Sequence, residues 1–159
     1  MSIGSAIPAV VDALIATLTS AGLEVLDGPG ITDDPLPLSV HVGWGDPDSE
    51  QIEESASADQ TWAWLGHVQR DETVTVHCRI VAWSGDSDSG AMKRVRDSAF
   101  SAFAAIGTAI QTDPSLGASA SGVLNVTDVG RIALYQVQDE EAGTRADIAF
   151  DVTCQARLS

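Results

Sequence analysis

Lysine is almost absent from this chain, and basic residues as a whole are scarce. Lys93 is the only lysine, and the eight basic residues face 23 acidic ones, for a formal net charge of −15 at pH 7. Surfaces that bind nucleic-acid phosphates or anionic membranes need clustered lysine and arginine, so this balance argues against both roles. The charge is unevenly distributed along the chain, because residues 1–69 contain eleven acidic residues and no lysine or arginine.

Cysteines and long apolar runs are also lacking. Cys78 and Cys154 are too few for a disulfide framework, and we expect both to be buried free thiols. No apolar run approaches the roughly 18 residues of a membrane-spanning helix. The N-terminus lacks the basic region of a signal peptide, so the sequence predicts a cytosolic protein without a membrane segment. A length of 159 residues predicts one domain, residues 1–159.

Two segments carry apolar residues at the three- and four-residue spacing of a helix, residues 5–21 and 88–112. Ser5 is the expected N-cap of the first helix, with a proline in its first turn and Gly22 at its end. The start of the second helix is expected to be capped by one of three polar residues, Asp86, Ser87 or Asp88.

Alternating apolar and polar residues predict the strands. These strands span residues 23–26, 38–44, 61–69, 73–83, 122–127, 131–138 and 144–157. A polar, acidic loop is expected over residues 45–60, an antiparallel hairpin over 61–83, and a bulge or bend at Gly130. The order of helix, strands, helix, strands predicts an α+β fold, a mostly antiparallel sheet with two helices packed on one face.

The sequence Gly85-Asp86-Ser87 lies between a strand and a helix, as a catalytic serine does in some hydrolases. Ser89 stands where the second glycine of the Gly-x-Ser-x-Gly motif belongs. A serine nucleophile also needs a histidine base, and none of the three histidines stands in an Asp-x-x-His context. We therefore predict no catalytic residue and interpret this segment as the polar cap of the second helix.

Metal and cofactor motifs are incomplete. His77 and Cys78 are neighbours on a strand and point to opposite faces, so they cannot join one site without a bulge. Asp46, Asp48 and Glu50 have a calcium-like spacing but lack the glycine and final glutamate of an EF-hand loop, which favours a solvated loop over weak cation binding. The glycines at 28 and 30 lack the third glycine of a dinucleotide fingerprint. We predict no metal and no cofactor.

Two charged groups are candidates for a channel wall or a subunit interface. The acidic loop over residues 45–60 either lines a channel or lies on the outside in solvent. Its acidic residues are Asp46, Asp48, Glu50, Glu53, Glu54 and Asp59. Lys93, Arg94 and Arg96 form a basic patch that either contacts an acidic neighbouring subunit or is a solvated helix face.

The four tryptophans lie on or beside predicted strands. Trp62 and Trp64 share one strand face, and Trp44 and Trp83 lie at strand ends. Such aromatic residues either fill the core or mark a protein–protein surface.

Several segments spread over nearly the whole chain share a pattern with one family. They are the opening residues 5–14, the segment 25–29, the strand and acidic loop around 42–48, the sequence Trp83-Ser84-Gly85-Asp86 before an alanine-rich helix, and the final strand pair. In these features the chain resembles the tail terminator (tail-completion or neck) proteins of long-tailed bacteriophages, especially those that infect high-GC actinobacteria.

The resemblance implies a virion structural protein rather than an enzyme. Such a protein forms a ring, expected to be a hexamer, that caps the head-proximal end of the tail tube, stops tube polymerisation and joins tail to head. The implied partners are the tail tube protein and a head-neck connector protein, with DNA passing through the channel without specific binding. The implied location is the tail-neck of the virion, after assembly in the host cytoplasm.

Two alternative functions stay open. The chain could be another virion structural protein, either a head-completion protein or a tail tube subunit. A small hydrolase or binding domain is the other class.

Overall fold

The computed structural model describes residues 4–30, 36–44, 54–62, 69–117 and 125–158. The elements in chain order are α1 (Ile7–Ser20), β1 (Val25–Asp27), β2 (Leu38–Val42), β3 (Ala56–Trp62), β4 (Arg70–Ser84), α2 (Ala91–Thr112), β5 (Asn125–Asp139) and β6 (Gly143–Leu158). The helices pack against one mostly antiparallel sheet, so the predicted α+β fold is confirmed.

The sheet is organised around its two longest strands. β4 and β6 pair antiparallel from Arg70 opposite Leu158 to Ser84 opposite Thr144. The order across the sheet is β1-β2-β4-β6-β5, and β3 also pairs with β4. β2 lies along one half of β4 and β3 along the other half, on the same side. In the sheet that the described residues form, β5 therefore lies at one end, and β1 and β3 lie at the other.

The core lies between the helices and one face of β4 and β6. Every second side chain of these strands enters it, as the alternation predicts. The buried residues are Val74, Val76, Cys78, Ile80 and Ala82 on β4 and Ala146, Ile148, Phe150, Val152, Cys154 and Ala156 on β6. Phe150 meets Phe103 of α2 edge to face, with the ring centroids 5.3 Å apart.

Both helices begin differently from the sequence prediction. α1 has Ala6 at its N-cap with no side-chain cap, so the prediction of Ser5 as N-cap is wrong, although the Ser5 hydroxyl accepts a hydrogen bond from the Ile7 N–H at 3.1 Å. α2 has Gly90 at its N-cap, also with no side-chain cap. Asp88 instead accepts a hydrogen bond from the Gly90 N–H, 2.9 Å away, and so closes the turn before the helix.

The acidic carboxylate at the start of α1 comes from the sheet. Glu72, fully buried on the helix-covered face of β4, accepts hydrogen bonds from the Ala6 N–H at 2.6 Å and from the Ser5 hydroxyl at 2.8 Å. Gln60 of β3 donates to its other oxygen. A carboxylate at this position satisfies the first N–H groups and suits the helix dipole.

Two strand predictions are corrected. The predicted boundary between the loop over 45–60 and the strand over 61–69 is wrong. β3 spans Ala56–Trp62, so it begins within the predicted loop, and it pairs antiparallel with β4. Residues 63–68 lie outside the described residues. The predicted strands 122–127 and 131–138 are one strand, β5, with register shifts at Val126/Asp128 and at Gly130/Ala133, so the irregularity predicted at Gly130 is confirmed.

The turn between β5 and β6 requires glycine. Gly143 has a φ of +89°, and a Cβ atom there would lie 2.1 Å from the backbone oxygen of Ser84. Trp83 holds the same turn, because its indole N–H donates to the Ala142 carbonyl at 2.8 Å. The end of the β5–β6 hairpin is therefore fixed against the end of β4.

Candidate assembly surface

The three basic residues of α2 lie on its exposed side and each has a partner within the chain. Lys93 forms an ion pair with Asp97, one turn further along the helix. Arg94 reaches back to Asp88 at 2.8 Å. Arg96 donates to the amide oxygen of Gln136 on β5 at 3.1 Å. The patch therefore ties α2 to its own start and to the end strand of the sheet.

The acidic candidates are divided between different parts of the chain. Asp46, Asp48, Glu50 and Glu53 lie outside the described residues. Glu54 and Asp59 are described and exposed, but Asp59 lies within strand β3 rather than in a loop.

His77 holds the chain segments on both sides of the acidic loop. Its carbonyl accepts hydrogen bonds from the N–H groups of Gly43 and Trp44 at 2.8 and 2.9 Å, and its own N–H donates to the Ser55 carbonyl at 3.0 Å. Residue 77 thus joins the end of β2 and the approach to β3 at one point on β4.

The His77 ring lies between two carboxylates. Nδ1 is 2.7 Å from Oδ1 of Asp151, and Nε2 is 3.0 Å from Oε1 of Glu54. A neutral imidazole has one N–H, so both carboxylates can accept only from the protonated ring. Burial works to lower the pKa of His77, but the hydrogen bonds to Asp151 and Glu54 outweigh burial and raise the pKa above its ordinary value.

The face of the sheet opposite the helices carries a buried cation. The Arg79 guanidinium lies 5.2 Å from the ring centre of Tyr135 and 5.8 Å from that of Trp44. Asp147 pairs with Arg79 at 3.2 Å and accepts two hydrogen bonds of 2.7 Å from Arg145. Tyr135 of the end strand β5 is thereby fixed on the sheet by its contact with Arg79.

A groove of about 570 Å³ opens beside this network. Trp44, Trp83 and Val137 are among its walls, and Ser39 and His41 lie at its base. His41 Nε2 is 2.9 Å from the Ser39 hydroxyl oxygen, and His41 Nδ1 is 3.0 Å from the Gly28 carbonyl oxygen. Burial lowers the pKa of His41, which favours a neutral ring that donates to Gly28 and accepts from Ser39.

The structure describes Ser87 and two of the three histidines. Ser87 lies exposed in the turn before α2. His41 and His77, the two described histidines, each engage both ring nitrogens with other groups. His67 lies outside the described residues. The Ser39–His41 pair was missed by the sequence reasoning because neither residue stands in a recognisable motif.

β5 exposes large apolar side chains along the end of the sheet. The exposed fractions are 52% for Ile132, 39% for Leu134, 55% for Tyr135 and 59% for Val137. These residues lie on both faces of β5, so they surround its outer backbone edge. Sequence reasoning predicted the strand without this exposure, and the run Ile-Ala-Leu-Tyr-Gln-Val was the available signal.

The tryptophans divide between core and surface. Trp44 and Trp83 are half-buried beside the groove, and Trp62, at the end of β3, is 63% exposed. The Arg70 guanidinium lies 5.9 Å from the centre of the Trp62 ring. Trp64 lies outside the described residues.

The two cysteines are buried free thiols, as predicted. Burial raises the pKa of Cys78 to about 12 and that of Cys154 to about 11, so both stay protonated at neutral pH. Within the described ranges, no group of three or more histidine, cysteine, aspartate or glutamate side chains is arranged to hold a metal ion.

Searches against protein-family models and against curated protein sequences find no match to this chain. Neither helix of the described part of the chain is long and apolar enough to cross a membrane.

Proposed function

We propose that the chain is a ring-forming tail terminator of a long-tailed bacteriophage, a structural protein that caps the head-proximal end of the tail tube. In this role it stops tube polymerisation and provides the surface that joins the tail to the head. The sequence resemblance to that family suggests the role, and the physical character of the molecule supports it.

The observation that carries the proposal is the apolar end strand. β5 is 15 residues long, lies at the end of the sheet that the described residues form, and exposes four large apolar side chains. An exposed, apolar edge strand of this kind invites pairing with another chain. Because exposed contiguous apolar surface commonly marks an interaction site, β5 favours a subunit of an assembly over a solitary domain.

The charge of the chain suits a ring around DNA. With a net charge of −15, the protein repels phosphate, whereas a basic wall would bind DNA and hold it back. Six copies would carry six times that charge, so their mutual repulsion opposes ring closure at low ionic strength. The Debye length falls from about 30 Å at 0.01 M salt to about 10 Å at 0.1 M, so salt is expected to favour the ring.

The test is tube assembly in the presence of the chain. Tail tube subunits of the same phage are polymerised with and without the purified protein, and tube lengths are measured by electron microscopy. We expect tubes of limited length with a ring at one end. Val137→Asp, which places a charge on exposed β5, is expected to abolish the capping, whereas Phe100→Asp on the exposed side of α2 serves as the matched control.

Other outcomes separate the alternatives. A chain that polymerises by itself into open-ended tubes is a tube subunit rather than a terminator. Tubes that grow to the same length with and without the protein contradict the proposal. Capping that survives Val137→Asp leaves the terminator role in place but removes β5 from its mechanism.

A further inference from the structure

The end of the sheet opposite β5 includes a second open strand. β3 pairs with β4 on one side, and no other described strand lies on its outer side. Its last residue, Trp62, is a large exposed aromatic residue. The molecule thus presents two different strand edges at opposite ends of one sheet.

The directions of the two strands fit a head-to-tail contact. β3 runs antiparallel to β4, β4 runs antiparallel to β6, and β6 runs antiparallel to β5. β5 and β3 of one chain therefore run in opposite directions. If the copies of a ring are related by rotation about an axis parallel to the strands, each strand keeps its direction in every copy. β3 of the next copy therefore runs opposite to β5 and can pair with it antiparallel, which is the commoner type of pairing.

The side chains also match face by face. Trp62 pairs in register with Arg70 and lies on the helix-covered face, as do Ile132 and Leu134 of β5. The single charge of β3 is Asp59, on the helix-free face. The single charge between Val129 and Gln138 is Arg131, which is 85% exposed and 3.9 Å from Asp151 on that same face.

We propose that β5 of one copy pairs antiparallel with β3 of the next copy, so that the sheet continues from subunit to subunit around a closed ring. This inference rests on the proposed function for the ring itself and names the two surfaces that build it. With Asp59 facing Arg131 on the helix-free face, the antiparallel direction places Ala58 and Ala56 beside Ile132 and Leu134 on the helix-covered face. Trp62 then lies further along β5 on that face, beside Val129. The contact uses two different surfaces, which is the requirement for a ring larger than a dimer.

The competing arrangement is a two-fold dimer in which β5 pairs with β5. It buries the apolar residues of β5, but it leaves Trp62 of both copies exposed. It also provides no acidic partner from β3 for Arg131. The charges and exposed aromatic residue of β3 therefore favour the head-to-tail pairing.

Charge reversal tests the pairing. Arg131→Asp, Asp59→Arg and the double variant are compared with the wild type by native mass measurement over a range of concentrations. Aspartate tolerates the positive φ of 54° at position 131. We expect each single variant to raise the concentration for half-assembly about tenfold, and the double variant to return to within about threefold of the wild type.

Asp59→Arg is the sharpest of these variants because it reduces the net negative charge. If general repulsion governed assembly, this change would strengthen it, whereas the pairing predicts that it weakens it. Lys93→Asp is the matched control for Arg131→Asp, since it makes the same charge change on exposed α2 and is expected to assemble like the wild type.

The results separate the pairing from the proposed function. Rings that cap tubes but assemble equally well with Asp59→Arg overturn the pairing and leave the terminator role intact. Rings that show the loss and the rescue but never cap a tube support the pairing and contradict the terminator role. A mass that stops at two copies, or a chain that stays monomeric at every concentration, overturns the pairing.

Discussion

The two faces of the β4–β6 pair carry opposite kinds of side chain. On the helix-covered face the side chains are apolar, apart from Glu72 and the end residues Arg70, Ser84 and Thr144. On the helix-free face, cross-strand pairs such as Asp71–Arg157 and His77–Asp151 are charged, with closest distances of 2.7 Å. The comparison teaches that burial of apolar surface stabilises the first face, whereas complementary charge pairing stabilises the polar side chains of the second.

The largest loss is expected from the helix-covered face. Phe150→Ala removes a ring that is 1% exposed and packs on Phe103, so it should lower the free energy of unfolding by ~4 kcal/mol. Thr153→Ala on the helix-free face of the same strand should cost less than ~1 kcal/mol. Urea unfolding of both variants measures the difference, and equal losses would contradict the division of labour between the faces.

The helix-free face has one site of comparable importance, the Arg79–Asp147 pair. Asp147→Ala removes a carboxylate that pairs with the buried Arg79 and accepts two hydrogen bonds from Arg145, so it should cost ~3 kcal/mol. The double replacement Arg79→Met with Asp147→Leu removes both charges and should recover most of that loss. Urea midpoints of the single and double variants test this, and an unrecovered double variant would show that this face depends on the charges themselves.

Glu72 is a buried charged residue on the otherwise apolar face, and its removal tests how far that face also depends on a polar contact. Glu72→Ala leaves the Ala6 N–H and the Ser5 hydroxyl without their acceptor, so it should cost ~2 kcal/mol. Its neighbour Asp71 forms an exposed pair with Arg157, so Asp71→Ala should lower the free energy of unfolding by much less than Glu72→Ala does. Thermal unfolding of the two variants compares them, and the reverse order would refute the capping role of Glu72.

The smallest effect is expected at His77 and depends on pH. Because the folded-state pKa of His77 is raised, its stabilisation is complete below about pH 6.5 and is lost as the pH rises through the raised value. The hydrogen bond from His77 lowers the pKa of Glu54, so the Glu54 contribution is lost only on acidification. His77→Gln should cost ~1 kcal/mol near pH 6 and less near pH 9. Urea midpoints at both pH values test this, and an equal loss at both would argue against a protonated His77.

The long strands and both helices could be predicted because their apolar residues keep a strict period. On β6, six alternate positions from Ala146 to Ala156 are apolar and all six are buried. β3 could not be predicted in the same way, because its inward residues before Trp62 are the small Ala56 and Ala58 and the polar Gln60. Residues 56–62 form a strand because they pair with β4, and the pattern within these residues alone does not indicate that pairing.

The candidate surface was only partly predictable. The basic residues of α2 were found, but their partners Asp88 and Gln136 depend on the fold. Alternation predicts Arg79 and Asp147 as polar-face residues without indicating that the Arg79 guanidinium lies against the rings of Trp44 and Tyr135. Similarly, the apolar residues of β5 match those of an interior strand, and only the order of the sheet shows that β5 lies at its end.

The most direct test of the central claim is the native mass of the purified protein as the salt concentration rises from about 0.01 M to about 0.3 M. The account predicts a shift from the 16.5 kDa chain toward one closed species of fixed size, six times that mass, which does not grow further with concentration. A chain that stays at 16.5 kDa at every salt and protein concentration, or grows without limit, would contradict it.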